Sequence, residues 1–283
     1  MKLLRLLAAL AVAASSAVVP GSPARAASAS YVALGDSFTA GPFIPHQQPD
    51  PIGCGRSDNN YPHMVARARG SLLRDVSCSG AATSDLWSPQ WVAGGPNPPQ
   101  LAALHAGVQT VSIQIGGNDI GFTEILVRCV GVLPIGTPCQ DHYVRGGVDE
   151  LDRRIAATAP KVAAALAEIR RRAPLARVFV VGYPAILPEA GPGCWPVLPI
   201  APGDVPYLRD TEKRLNAMLA TQAAAAGATY VDTYGPSIGR DACQLPGVRW
   251  VEPLVPVGLA APVHPNAVGM QGMAAVLLAA MGR

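Results

Sequence analysis

The chain has 283 residues, of which 49% are hydrophobic and only 14% are charged. This composition excludes a disordered, a collagen-like or a strongly basic nucleic-acid-binding polypeptide, and the length allows one domain with a full core. The formal charge of +3 comes from Lys2, Arg5 and Arg25, because the rest of the chain carries 19 basic and 19 acidic residues. Without the first 26 residues, charge gives no reason to expect a polyanionic partner.

Those first 26 residues have the pattern of a secretory signal peptide. Lys2 and Arg5 precede an apolar run over 6–19, and the segment ends in a small-x-small sequence at 24–26. A membrane anchor is the alternative, but the run is shorter than the ~20 residues that span a bilayer. We expect cleavage after Ala26, a mature domain over 27–283, no transmembrane segment after signal removal, and an extracellular location.

Six cysteines, an even number without a CxxC pair, favour disulfide bonds over a zinc or redox site. Six cysteines allow fifteen pairings, and the sequence does not choose among them. Pairing of nearest neighbours would connect three loop regions, and we expect that pattern. The predicted bonds are Cys54–Cys78, Cys129–Cys139 and Cys194–Cys243.

Short β-branched runs alternate with helical patterns along the chain. Strands are predicted at 31–34, 72–76, 110–115, 178–181 and 229–232, the second on the weakest pattern. Helices are predicted at 61–68, 121–130, 148–172, 210–226 and 266–281. Pro160 lies inside the third helix and predicts a break or a kink there. The alternation predicts an α/β fold with a central parallel sheet flanked by helices on both faces.

Pro- and Gly-rich stretches separate these elements and are expected to form loops over the sheet. They lie at 41–55, 87–99, 132–137, 184–206 and 253–262. Ligands of such folds bind beyond the carboxyl ends of the strands, so these loops are expected to form the walls of a site. Apolar residues at 195–201 and 251–261 would suit a fatty acyl chain, although such residues also pack loops down.

Polar residues follow three of the predicted strands. Ser37 follows the first strand, at a turn that would expose its hydroxyl and place its N–H at a helix start. Gly80 follows the second strand, and Asn118 follows the third. The N–H groups of Ser37 and Gly80 and the side-chain amide of Asn118 could stabilise the oxyanion of ester hydrolysis. Each residue is also an ordinary turn residue, so no single one is decisive.

A histidine lies in the loop before the last predicted helix. A serine hydroxyl is a poor nucleophile until a base takes its proton, and His264 is placed at the correct edge of the sheet for that role. An isolated histidine is more often structural. His264 becomes a candidate base only in combination with Ser37, Gly80 and Asn118.

The four blocks together resemble the SGNH hydrolases, also called the GDSL esterase and lipase family. Their order is that of the family: 35–37 first, Gly80 second, 116–119 third and His264 last. The resemblance extends from residue 31 to the last helix. It is closest to the secreted bacterial esterases, lipases and phospholipases of the family.

The resemblance implies a three-layer, flavodoxin-like fold and a role for each block. Ser37 would be the nucleophile, and His264 the base. Gly80 and Asn118, with the N–H of Ser37, would form the oxyanion hole. No metal or cofactor is implied, and the sequence contains none of the motifs that bind one.

One position departs from the family pattern. The family usually has an aspartate three residues before the histidine, and this chain has Ala261 there. A backbone carbonyl, from Ala261 or Pro262, would orient the imidazole instead. Asp232 and Glu252 remain candidates for a more distant acid.

The sequence therefore predicts a secreted, monomeric serine ester hydrolase, a carboxylesterase or lipase acting on acyl esters of lipids. A phospholipase A and a polysaccharide deacetylase use the same chemistry and remain open. From another class, a non-catalytic secreted binding protein on the same scaffold would be favoured by the missing aspartate. Retention of both Ser37 and His264 argues against that alternative.

Overall fold

The computed structural model describes residues 29–131 and 133–282. The predicted signal peptide, residues 1–26, lies outside the described residues. The helices are α1 Ser37–Ala40, α2 Tyr61–Arg69, α3 Phe122–Cys129, α4 Pro138–Tyr143, α5 Glu150–Arg172, α6 Val205–Ala225, α7 Tyr234–Ser237 and α8 Ala267–Met281. The strands are β1 Ser30–Gly35, β2 Leu72–Asp75, β3 Gln90–Val92, β4 Gly95–Asn97, β5 Thr110–Gln114, β6 Val144–Arg145, β7 Val148–Asp149, β8 Arg177–Val181 and β9 Thr229–Val231.

The centre of the fold is a five-stranded parallel sheet with the order β2-β1-β5-β8-β9. All five predicted strands are confirmed, within two residues at each end. From β1 the chain crosses first to β2 on one side and later to β5 on the other. This reversal opens a crevice between the carboxyl ends of β1 and β5, where ligands bind in open α/β sheets.

Side chains of β1 alternate between two hydrophobic cores, one on each face of the sheet. Val32 and Leu34 pack into the first core, while Tyr31 and Ala33 pack into the second. Helices cover both faces, so the three-layer fold predicted from the sequence is confirmed. The first core contains residues of α5 and α6, namely Val162, Leu166, Leu215 and Leu219, and the second contains residues of α2 and α8, namely Val65, Met270 and Leu277.

Helix α5 is continuous through Pro160, so the predicted break is wrong. Pro160 lies on the exposed side of the helix, where water can reach the carbonyl that lacks a hydrogen-bond donor. The opposite side is buried at helical spacing, at Leu151, Ile155 and Val162 among others. Packing of that side keeps the helix intact.

Other segments also differ from the sequence-based expectation, and helices α4 and α7 were not predicted. Helix α6 begins at Val205, five residues before the predicted start, with Pro206 in its first turn, where proline is accepted. The predicted loop at 87–99 contains an antiparallel hairpin of β3 and β4. A second hairpin, of β6 and β7, precedes α5. Strands of two or three residues are too short to show a periodic hydrophobic pattern, so the sequence did not predict these hairpins.

The three predicted disulfide bonds, Cys54–Cys78, Cys129–Cys139 and Cys194–Cys243, are all present. Each connects segments on the side of the sheet where the strands end. In the part of the chain that the structure describes, no helix is long and apolar enough to cross a membrane.

Candidate active site

Ser37 is the first residue of α1, and only Asp36 separates it from the end of β1. Asp36 caps this helix by accepting a hydrogen bond from the N–H of Phe38 at 2.9 Å. A Cβ atom at Gly35 would lie 2.7 Å from the carbonyl oxygen of Gln114 and closer still to Thr39. Only glycine fits this close approach. The helix ends after one turn at Gly41, whose backbone is left-handed.

His264 and Ser37 are in direct contact. The Nε2 atom of His264 lies 2.7 Å from Oγ of Ser37, and its Nδ1 atom lies 2.7 Å from the carbonyl oxygen of Pro262. A carbonyl can only accept, so Nδ1 carries the proton, and Nε2 is free to accept from the serine hydroxyl. Burial lowers the pKa of His264, and the Pro262 carbonyl partly opposes that shift.

The two candidate distant acids bind elsewhere. The carboxylate of Asp232 accepts hydrogen bonds from the N–H groups of Tyr234 and Gly235, at the start of α7. The carboxylate of Glu252 forms an ion pair with Arg249 at 2.8 Å. Within the described residues, the imidazole of His264 contacts neither carboxylate.

Glu252 instead holds the loop that carries His264. Its carboxylate accepts from the side-chain amide of Asn266 at 2.7 Å and from the N–H groups of Val257 and Gly258. Its own N–H donates to the carbonyl of His264 at 3.0 Å. The Glu252 side chain is 2% exposed and that of Arg249 is 4% exposed, so this is a buried ion pair beside the site. The sequence did not predict this role.

The three predicted oxyanion donors lie around Ser37. The N–H of Ser37 is at the start of α1, where no acceptor exists within the helix. The N–H of Gly80 makes no hydrogen bond to any residue that the structure describes. The amide of Asn118 donates to the carbonyl of Ala81 at 2.9 Å and keeps a second N–H free. This bond joins the turn after β5 to the turn that contains Gly80.

Two further carboxylates connect the turns at this edge. Asp36 accepts from the hydroxyl of Tyr183 at 2.6 Å, and that hydroxyl accepts from the N–H of Gly117 at 2.9 Å. Burial raises the pKa of Asp36 to about 7. Asp119 accepts from both the N–H and the hydroxyl of Thr83. The position of Asn118 is therefore fixed from both sides.

Aromatic rings enclose the imidazole. The ring centroid of Phe38 lies 5.0 Å from that of His264, and the ring of Phe122 meets the imidazole edge to face at 5.8 Å. Phe38 and Phe122 also contact each other. These rings keep water from one side of His264, which agrees with its lowered pKa.

An apolar groove begins at Ser37 and Asn118. It contains about 820 Å³ of empty space, part of it open to solvent. Its walls come from α3, α6 and the segment after β8, with side chains that include Phe122, Ile125, Leu126, Ile186, Leu187, Ile200, Leu208 and Leu215. Among the described residues, no group of three His, Cys, Asp or Glu side chains is placed to hold a metal ion.

The residues that line the groove differ in part from the loop residues that the sequence predicted there. Ile200 of the 195–201 segment lines it, but no residue of 251–261 does. Val255, Val257 and Leu259 are exposed instead. The contributions of α3 and α6 were not predicted, although the helical spacing of Phe122, Ile125 and Leu126 indicates one apolar face.

Comparison with known sequences gives a consistent result. Residues 33–271 match the GDSL-like lipase/acylhydrolase family. The chain is 43% identical over 272 residues to Lipase 2 of Streptomyces coelicolor, covering 94% of this chain and 90% of that protein. It is 31% identical to an esterase of Streptomyces scabiei, covering 84% of this chain and 81% of that protein.

Two crystal structures share the fold over most of the chain. Phospholipase A1 of Streptomyces albidoflavus NA297 superposes with a TM-score of 0.73 at 27% identity, covering 89% of this chain and 98% of that one. An extracellular lipase of Streptomyces rimosus superposes with a TM-score of 0.74 at 26% identity, covering 89% and 100%.

Proposed function

This chain belongs to the GDSL-like lipase/acylhydrolase family of carboxylic ester hydrolases, and we propose that it is a secreted serine hydrolase of lipid acyl esters. One observation carries the proposal: the 2.7 Å contact between Ser37 and His264 at the start of an apolar groove. Ser37 is assigned as the nucleophile and His264 as the general base.

The reaction follows from the donors and acceptors at this contact. As Oγ of Ser37 attacks the ester carbonyl carbon, its proton passes to Nε2 of His264. The protonated imidazole then gives that proton to the oxygen of the departing alcohol, and an acyl-enzyme forms. Water attacks the acyl-enzyme after losing a proton to Nε2, and the carboxylic acid leaves as Ser37 regains its proton.

Three donors are assigned to the oxyanion that forms in each step. They are the N–H groups of Ser37 and Gly80 and the amide of Asn118. Both N–H groups lack a partner in the described chain, and the Asn118 amide keeps one hydrogen free, so no existing bond has to break when the oxyanion forms. One such donor typically stabilises a transition state by about 3 kcal/mol.

His264 is assigned as a base without a carboxylate partner. The carbonyl of Pro262 accepts from Nδ1 and so fixes the tautomer that leaves Nε2 unprotonated. A neutral carbonyl stabilises the imidazolium less than an aspartate would. The site therefore works as a dyad of Ser37 and His264, with Pro262 as the orienting group.

The substrate class follows from the groove. Aliphatic and aromatic walls next to the nucleophile suit the acyl chain of a lipid ester. A phospholipase A activity is the second candidate, supported by the structural similarity to a phospholipase A1. A polysaccharide deacetylase would have no use for this groove. A binding protein without turnover would have no need for the Ser37–His264 contact.

Export from the cell is part of the proposal. The predicted signal peptide over 1–26 and mature domain over 27–283 support it. The three disulfide bonds are typical of an oxidising compartment. A structurally similar protein is an extracellular lipase.

Hydrolysis of p-nitrophenyl esters from acetyl to palmitoyl tests the function. We expect turnover by the mature protein and only background rates for Ser37→Ala, because loss of the nucleophile leaves only binding effects. Ser88→Ala, at an exposed serine, is the matched control and should keep the wild-type rate. Wild-type activity in Ser37→Ala would refute the assignment. Fatty acid release from phosphatidylcholine, compared with triglyceride, then separates a phospholipase from a lipase.

A further inference from the structure

Glu212 is an unusual residue in the wall of the groove. It lies on α6, one turn from Leu208 and from Leu215, and all three line the groove. Its Oε2 atom accepts a hydrogen bond from the N–H of Ile186 at 3.2 Å. Its Oε1 atom is buried and has no hydrogen-bond partner in the described chain.

Among the groove residues that the structure describes, Glu212 alone has a fully buried side-chain oxygen without a hydrogen-bond partner. Thr211, its neighbour on α6, donates its hydroxyl to the carbonyl of Tyr207 at 2.9 Å. Both oxygens of Asp36 accept hydrogen bonds, from Phe38 and Tyr183. A buried acceptor or donor without a partner is costly to a folded protein. Glu212 therefore leaves one hydrogen-bonding position open inside an apolar wall.

Within the described residues, Glu212 forms no salt bridge. Lys213, the next residue along α6, is paired with Glu189 at 2.6 Å. Burial raises the pKa of Glu212 to about 8. Burial therefore favours the protonated carboxyl group, and because Oε2 accepts from the N–H of Ile186, the proton of that form belongs on Oε1. That oxygen can donate one hydrogen bond and accept another.

We propose that Glu212 forms a polar subsite within the acyl groove, which binds a hydroxyl group carried on the acyl chain of the substrate. The proposal rests on the assignment of Ser37 as the nucleophile for acyl esters. A hydroxyl is favoured over an ionised group because the surrounding walls, from Ile186, Leu187 and Leu208, are apolar and would desolvate a charge. A hydroxyl also matches both the donor and the acceptor of Oε1.

The test compares p-nitrophenyl esters of one chain length, with the hydroxyl placed at successive carbons and with none. For the wild type we expect kcat/KM to be about fivefold to tenfold higher for one hydroxyl position than for the plain chain, the size of one neutral hydrogen bond. Glu212→Leu and Glu212→Met should remove this preference, so that the ratio of kcat/KM for the hydroxylated ester to that for the plain ester falls to about one. Glu212→Gln should keep the preference, because an amide also donates and accepts.

Controls separate this subsite from the proposed function. Glu189→Gln, at the exposed neighbour of Lys213, should leave the ratio of the two rates unchanged. The acetyl ester does not extend along the groove and reports the Ser37 site alone. If the wild type hydrolyses the acetyl ester but shows no preference at any hydroxyl position, the subsite is refuted and the function stands. If it hydrolyses no ester, the function itself fails. A preference that persists in Glu212→Leu or in Glu212→Met also refutes the subsite.

Discussion

The turn that carries Ser37 and the loop that carries His264 hold their side chains in different ways. Ser37 lies two residues after the end of a buried strand, and its backbone is fixed within six residues, by the close fit of Gly35, the cap of Asp36 and the end of α1. His264 lies in an irregular segment, and its backbone is fixed by Glu252, which bridges several parts of that segment.

The contact between Ser37 and His264 therefore depends on two kinds of stabilisation. The serine depends on local backbone geometry and on the sheet below it. The histidine depends on a buried ion pair between Arg249 and Glu252, a type of interaction that is costly to break because it leaves one charge alone. We therefore expect changes on the histidine side to affect stability and activity together.

The largest expected effect comes from removing either member of the contact. His264→Ala, at the proposed base, should lower kcat on the order of 10⁶-fold, as loss of a nucleophile or its base does in serine proteases. Because the proposed mechanism places both residues in one proton transfer, the double variant Ser37→Ala/His264→Ala should be no slower than either single variant. Steady-state kinetics on one ester measures this, and multiplied losses would mean that the two residues act independently.

The buried ion pair gives the next largest effect. Glu252→Gln leaves Arg249 without its counter-charge and should lower the free energy of unfolding by about 3–5 kcal/mol. Glu150→Gln breaks exposed pairs with Arg153 and Arg154 and should cost about 1 kcal/mol or less. Urea denaturation at pH 7 measures the free energy of unfolding of both variants. Equal losses would mean that the ion pair does not hold the His264 segment.

Removing one of the proposed oxyanion donors should have a smaller effect. Asn118→Ala loses a hydrogen-bond donor on the serine side and should lower kcat by about 10²–10³-fold with little change in KM. The free energy of unfolding should fall less than in Glu252→Gln, because Asn118→Ala loses one hydrogen bond between neutral groups, the bond to the carbonyl of Ala81. A rise in KM with unchanged kcat would show that Asn118 binds the ester rather than its oxyanion.

The smallest expected effect is on the pH dependence of kcat/KM. Only the neutral imidazole of His264 can accept the proton of Ser37, and burial holds its pKa below the ordinary value of 6.5. As pH falls through this lowered pKa, the protonated fraction grows, so kcat/KM should stay high at pH 6.5 and decrease only below it. His46→Asn, at an exposed histidine, should leave the profile unchanged. A decrease that begins above pH 6.5 would contradict the burial of His264.

The sequence predicted what depends on local pattern. The five strands follow from β-branched runs, and their parallel order brings the polar residues after β1, β2 and β5 to one edge. Because position 261 is alanine and not aspartate, the sequence predicted that a backbone carbonyl orients His264. It left the carbonyls of Ala261 and Pro262 as candidates. The choice of Pro262 depends on Val263, whose left-handed backbone no sequence pattern indicates.

Long-range features could not be predicted in the same way. Glu252 and Asn266 are far apart in the sequence, and their contact depends on the path of the intervening loop. The groove depends on how α3 and α6 pack against each other and against the segment after β8. Pro160 failed as a helix breaker because tertiary packing of α5 outweighs one missing hydrogen bond.

The positions of the disulfide bonds have a consequence for when this protein can act. The five strands of the sheet contain no cysteine, whereas Cys78 lies two residues before Gly80 and Cys129 lines the groove. Reduction would therefore loosen the catalytic edge while the sheet keeps its own contacts. We expect a chain with reduced cysteines to remain folded but to hydrolyse esters more slowly than the oxidised chain.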